Sequence, residues 1–160
     1  MPALITFGRI LFAVLFLYSG ASKLFGIQAT ADVLAAKVTI PAIVAPYAQQ
    51  IETFVGMPFM QLLAIAVGCF EILAGLMIAV NVLARFFALL LIIFVCVTTF
   101  YFHDFWNQPA PDNLRTLIDA LKNLSLIGAL FIIAGLWLVL ATGEGQAYGG
   151  AFVSDAFAKF

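Results

Sequence analysis

A chain of 160 residues that is 65% hydrophobic and 9% charged has too little polar surface for a soluble domain, which is about a quarter charged. It is also far too apolar for a disordered one. Its net charge of −1, with seven Lys and Arg, offers no basic patch for nucleic acid, and two cysteines and one histidine exclude a disulfide framework, a four-ligand zinc site and a bis-histidine haem. The expected fold class is all-α, an integral membrane four-helix bundle with amphipathic connecting segments.

A membrane span needs about 20 mostly apolar residues, and four windows meet that length. The first runs from about Leu4 to Phe25. Arg9 and Ser19-Gly20-Ala21 imitate the flank and cleavage site of a signal peptide. The apolar run nevertheless continues the pattern of the later spans, and we read it as a retained helix. A connector, Gly26 to Pro58, follows. It opens with a short amphipathic helix signal over Thr30 to Lys37, with Thr30 as the expected N-cap. Pro41, Pro46 and Pro58 punctuate the rest. The connector is too apolar to float free and should lie on the membrane surface or over the bundle.

The second span is expected over about 59–80 and the third over about 82–102, with Asn81 as the pivot of a tight antiparallel hairpin. A second connector, His103 to Leu121, carries Pro109 and Pro111. Asp112 should cap a helix that runs on into the fourth span, about 122–141. These spans define one transmembrane unit, 1–142, and leave a Gly-rich tail, 143–160, expected to be loosely ordered. The cationic residues divide almost evenly between the two faces, and the reading adopted is cytoplasmic termini.

At 100° per residue, the intramembrane polar groups fall on definite faces. Arg9, Ala13, Phe16, Gly20 and Lys23 share one face of the first span. Ala64, Gly68, Glu71, Gly75 and Ala79 share one face of the second. Small residues let membrane helices approach closely, so Glu71 should point into the bundle. On the third span the polar reading selects Arg85, Leu89, Ile92, Cys96, Thr99 and His103; on the fourth, Ser125, Gly128 and Gly135. Depth counted from the Asn81 turn puts Glu71 about 15 Å in, and Arg85 and Arg9 at shallower levels from the same face. The expected buried cluster is therefore Arg9, Glu71 and Arg85, with a Glu71–Arg9 or Glu71–Arg85 contact. Lys23, His103, Lys122 and Asn123 should form a second cluster at the opposite mouth, too far from Glu71 for a direct bond, with Asp104 and Asp119 as counter-charges.

Each cluster has a structural and a functional reading. The inner one is either a lock on helix register or a proton or quinone-headgroup site. His103 either caps the third span at the interface or exchanges protons near a redox ligand. Phe102, Phe105 and Trp106 form an aromatic belt or line an apolar slot. Cys69 and Cys96 are read as apolar core cysteines, and no metal site is expected.

These residues, in this order, resemble the DoxX family of small membrane proteins. The likeness is carried by Gly8-Arg9, Ser19-Gly20-x-x-Lys23, the connector from Ala29 to Pro41, and Glu71-x-x-x-Gly75 followed by Arg85. It continues in Phe102-His103-Asp104-Phe105-Trp106 and Lys122-Asn123-Leu124, so that it spans Gly8 to about Thr142. The resemblance implies a four-helix bundle in the cytoplasmic (inner) membrane of a prokaryote and an association with redox chemistry. Some relatives look like small subunits of thiosulfate:quinone oxidoreductases, and others accompany oxidative-stress enzymes. The expectation is a redox-associated subunit or accessory protein working with the quinone pool or a partner oxidoreductase, at most one subunit of a membrane enzyme. Quinone is the candidate cofactor; the lipid membrane, a partner oxidoreductase or a second copy are the candidate partners. A non-enzymatic scaffold or assembly factor is the alternative. A small-molecule transporter ranks below both, because no span carries a central Pro-Gly break.

Overall fold

The long apolar runs of the sequence are all helical, and the last of these helices begins ahead of its run, at Asp112. The computed structural model describes residues 2–141, 145–147 and 152–154. Four of its helices are long and apolar enough to cross a membrane. They are α1 (Pro2–Phe25), α4 (Phe59–Ala79), α5 (Ala84–Phe102) and α6 (Asp112–Ala141). Two shorter helices, α2 (Ile27–Lys37) and α3 (Ala45–Val55), fill the first connector. The fold is an all-α membrane bundle. The tail expected to be loose lies outside the described residues apart from two short strands, β1 (Gly145–Ala147) and β2 (Phe152–Ser154), paired antiparallel.

The chain divides into two compact units, Val14–Gly75 and Met1–Ala13 with Leu76–Phe160. In the first, the C-terminal half of α1 and most of α4 flank the connector helices. The core holds Phe16, Ala31, Leu34, Ala48, Ala64 and Ala74. The tightest contact is a glycine crossing. A Cβ added at Gly20 would stand 2.6 Å from the Gly68 carbonyl oxygen, and one at Gly68 would stand 3.0 Å from that of Gly20. Close backbone approach of this kind is how membrane helices associate without a hydrophobic driving force between them.

The connector departs from its expected start. Helix α2 begins at Ile27 with Gly26 at its N-cap, so Thr30 lies inside the helix and caps nothing. The amide of Gly26 already bonds the Ser22 carbonyl at 3.0 Å, and Thr30 bonds Gly26, leaving almost no break after α1. At the far end, Gly56 closes α3 in the left-handed conformation with φ 73°, which glycine adopts at no steric cost. The Glu52 carboxylate then accepts the Phe59 amide at 2.6 Å. A negative group there satisfies an open N–H and suits the positive end of the α4 dipole.

In the second unit, the turn between α4 and α5 holds Asn81 and Leu83 at positive φ, 60° and 49°. Asn tolerates this region; for Leu it costs roughly 1–2 kcal/mol. Helix α5 packs along α6, which continues unbroken from Asp112 into the span. The buried face of α5 is Ala84, Ala88, Leu91, Ile92 and Val95. This corrects the polar reading of that helix: Leu89 and Cys96 are exposed. The small residues Ala84 and Ala88 mark the packing stripe, as they do on α4, and the polar residues stand beside it. On α6, Ser125, Gly128 and Gly135 are also exposed, and a Cβ at either glycine would meet nothing within 4 Å. Among the residues of that helix whose burial is described, the buried ones are Ala120 and Leu130.

Candidate functional site: a lysine–glutamate pair in the membrane

Glu71 is 3% exposed, the one acidic or basic residue in the buried set among the described residues. It projects from the Ala64–Gly68–Glu71–Gly75 stripe of α4, as its helical phase dictates. Its partner is Lys23. The Lys23 ammonium donates to Glu71 Oε2 at 2.8 Å and to Oε1 at 3.1 Å. It also donates to Ser19 Oγ, one turn back on α1, at 2.6 Å. Ammonium and carboxylate thus neutralise each other, and a hydroxyl occupies a further ammonium proton. The Glu71 side chain is 4% exposed and that of Lys23 26%, so the pair is sealed on the glutamate side and open on the lysine side.

This geometry overturns two expectations. Lys23 was to lie too far from Glu71 to bond, and an arginine was to take the carboxylate. A place for Lys23 at the far mouth requires α1 and α4 to end flush. They do not: α1 runs about five residues past the glycine crossing and α4 starts about nine before it, so α1 ends roughly 6 Å short. Side chains on a helix also lean toward its N-terminus. Lys23 therefore reaches back from the end of α1 to the level of Gly20, whose added Cβ would lie 3.1 Å from Glu71 Cβ. Ser19 was missed as a member of the site, although its four-residue spacing from Lys23 was visible.

The other candidate residues fall elsewhere. Arg9 donates from Nη2 to Thr6 Oγ1 at 3.2 Å, and its buried Nε has no hydrogen-bond partner among the described residues. Arg85 stands half-buried in the first turn of α5. His103 is the C-cap of α5, its amide bonded to Thr99. Lys122 pairs with Asp119 at 2.9 Å on the exposed side of α6. Asn123 donates to Thr99 Oγ1 at 2.9 Å, and Thr99 in turn bonds the Val95 carbonyl. The four members of the expected mouth cluster thus have four different settings: Lys23 on Glu71, His103 at a helix end, Lys122 on Asp119 and Asn123 on Thr99. Asp104 accepts from Gln108, whose side-chain carbonyl accepts from Thr116. Around it Phe105 and Trp106 meet edge to face at 5.0 Å, and Trp106 lies 5.8 Å from Phe100.

The arrangement of α1, the connector and α4 meets a direct match by sequence. The family model for DoxX covers residues 4–104.

The chain belongs to the DoxX family.

The matched stretch includes Arg9, Ser19, Lys23, Glu71, Arg85 and His103, and it ends before Lys122 and Asn123. A second similarity is local. Over 32 residues the chain is 81% identical to NADH-quinone oxidoreductase subunit N 1 of Rhizobium meliloti (strain 1021). That is 20% of this chain and 7% of the relative, so the chain spans less than a tenth of that protein's length. No solved structure matches.

Proposed function

We propose that this DoxX protein is a redox-associated subunit of the cytoplasmic membrane, working beside a partner oxidoreductase, with Ser19, Lys23 and Glu71 as its proton-handling site. The observation that carries this reading is the buried Lys23–Glu71 pair. An ionisable residue inside a membrane span is expensive and marks ion or proton pathways by default. This pair offers a proton donor and a proton acceptor side by side, open from the lysine side. Its chemistry fits a quinone headgroup: the ammonium and the Ser19 hydroxyl would hold a carbonyl oxygen, and the carboxylate would accept from a hydroquinone O–H. A bound quinone would supply electron exchange with the lipid-soluble pool. Lys23 would turn from Glu71 to the headgroup, and Glu71 would take or give the proton. Cytoplasmic termini belong to the same proposal.

The test is gentle purification followed by mass spectrometry of the bound lipid-soluble molecules. Quinone should co-purify with the native chain and be lost from Glu71→Gln. If no quinone is bound, and Glu71→Gln leaves a stable bundle and unchanged cellular redox behaviour, the reading fails.

A second reading is supported by the Gly20–Gly68 crossing. It sits beside the ion pair, so Lys23 and Glu71 also pin the register of α1 on α4. A rigid scaffold or assembly factor would need only that lock. It would retain function with an apolar, well-packed replacement of both residues, whereas the redox reading would lose it.

A further inference from the structure

Helix α3 has an apolar face that its own unit leaves uncovered. Val44, just before its first turn, and Tyr47, Ile51, Phe54 and Val55 fall within an arc of about 100°. All are exposed, Phe54 at 92%. Ala48 and Glu52 lie to one side of that arc and are engaged, the first buried and the second bonded to the start of α4. Gln49 and Thr53 occupy the opposite side and are exposed. This is an amphipathic helix with two faces of different polarity and a fixed attachment along the boundary between them.

Three facts decide what covers it. The connector is tied at both ends to spans, α1 ending at Phe25 and α4 starting at Phe59, so it leaves from and returns to the same membrane surface. Because α1 stops roughly 6 Å short of α4, the connector starts below the level where α4 begins. Phe25, at that lower step, is 93% exposed and needs an apolar surrounding. Finally, no Lys or Arg occurs between Lys37 and Arg85, so nothing on α3 can recruit anionic headgroups.

We propose that α3 is a membrane-surface helix whose Val44–Tyr47–Ile51–Phe54–Val55 face lies at the glycerol–acyl boundary of uncharged, zwitterionic lipid. Helices of this kind sink roughly 5–10 Å into that boundary. Most owe part of their binding to basic residues on the polar face; α3 has none and relies on apolar burial and its two tethers. The Glu52–Phe59 bond joins this seat to the first turn of α4, the helix that carries Glu71.

The test is site-directed spin labelling of the full chain, with Cys69 and Cys96 replaced by Ala, in phosphatidylcholine nanodiscs. Labels go on Tyr47→Cys, Phe54→Cys, Gln49→Cys and Thr53→Cys. At 47 and 54, collision with oxygen should exceed collision with a water-soluble nickel chelate severalfold. At 49 and 53 the order should reverse. The pattern should be the same when a third of the lipid is phosphatidylglycerol. Nickel access at all four positions would overturn the proposal by placing the face in water. Exclusion of both reagents at 47 and 54 would overturn it by showing a protein cover, a second copy included. A lipid-accessible face seen only with anionic lipid would overturn the uncharged-lipid assignment. Two labels on each face keep the result readable if one variant fails to fold.

Discussion

Lys23 and Glu71 are one neutral unit, but their surroundings are unequal. Glu71 is closed in by protein, whereas Lys23 keeps a quarter of its side chain accessible. Removing the lysine leaves a buried carboxylate with no cation, a loss of about 3 kcal/mol or more. Removing the charge of Glu71 leaves an ammonium that can turn outward and keeps an amide oxygen as acceptor, a loss of about 1–2 kcal/mol. Lys23→Met should therefore lower the thermal midpoint in detergent more than Glu71→Gln. The double variant Lys23→Met/Glu71→Leu should recover to within about 1 kcal/mol of native. Circular dichroism melts of the three variants check the order; an equal loss in both single variants would contradict the asymmetry. At this scale the sequence was half legible. Small residues around Glu71 announced that it faces inward. Its partner was hidden, because the depth of Lys23 depends on where α1 stops relative to α4 and on the backward lean of a long side chain. Neither quantity is contained in a helical wheel.

Among the elements, the crossing of α1 and α4 makes the sharpest demand. Gly20→Ala would drive a methyl to 2.6 Å from a backbone oxygen, and a backbone cannot rotate away as a side chain can. A loss of about 2 kcal/mol is expected from overpacking. Gly128→Ala on α6 meets open space and should be neutral or stabilise by up to about 1 kcal/mol. Comparing the two melts separates packing from helix propensity. Glu52→Ala should cost about 1 kcal/mol by uncapping α4, with Glu52→Gln recovering about half; hydrogen exchange at the start of α4 would rise in the same order. The two departures at this scale have separate causes. On α5 the inner face follows the small residues Ala84 and Ala88 and not the polar ones. On α2 the expected N-cap was Thr30, yet the chain barely pauses after α1, so the helix starts earlier, after Gly26.

For the whole chain, composition was the most legible property: so apolar a sequence has to lie in lipid, and four helices are long enough to do so. What composition hid was the division into two units, since composition carries no order along the chain. The two cysteines test the membrane placement directly. Cys69 and Cys96 are free and exposed at the helix surfaces of α4 and α5, well inside the spans. A reagent that cannot enter a bilayer reaches a thiol only from water. A membrane-impermeant maleimide should leave both unlabelled in intact bilayers and label both in dodecyl sulfate. Labelling of either in the bilayer would place that helix surface against water.

The lysine–glutamate pair also sets an order of events during synthesis. Its two members lie 48 residues apart, and α1 reaches the membrane while α4 is still unmade. During that interval only one of the two side chains that Lys23 bonds in the finished site, Ser19, has been made. Glu71 arrives later on a helix whose centre would otherwise carry a lone carboxylate, a placement that costs roughly 3 kcal/mol. The waiting ammonium lowers that cost at the moment it arises. Variants lacking Lys23 should therefore show their defect first in newly made chains, as slower insertion of α4, before any loss appears in the mature protein.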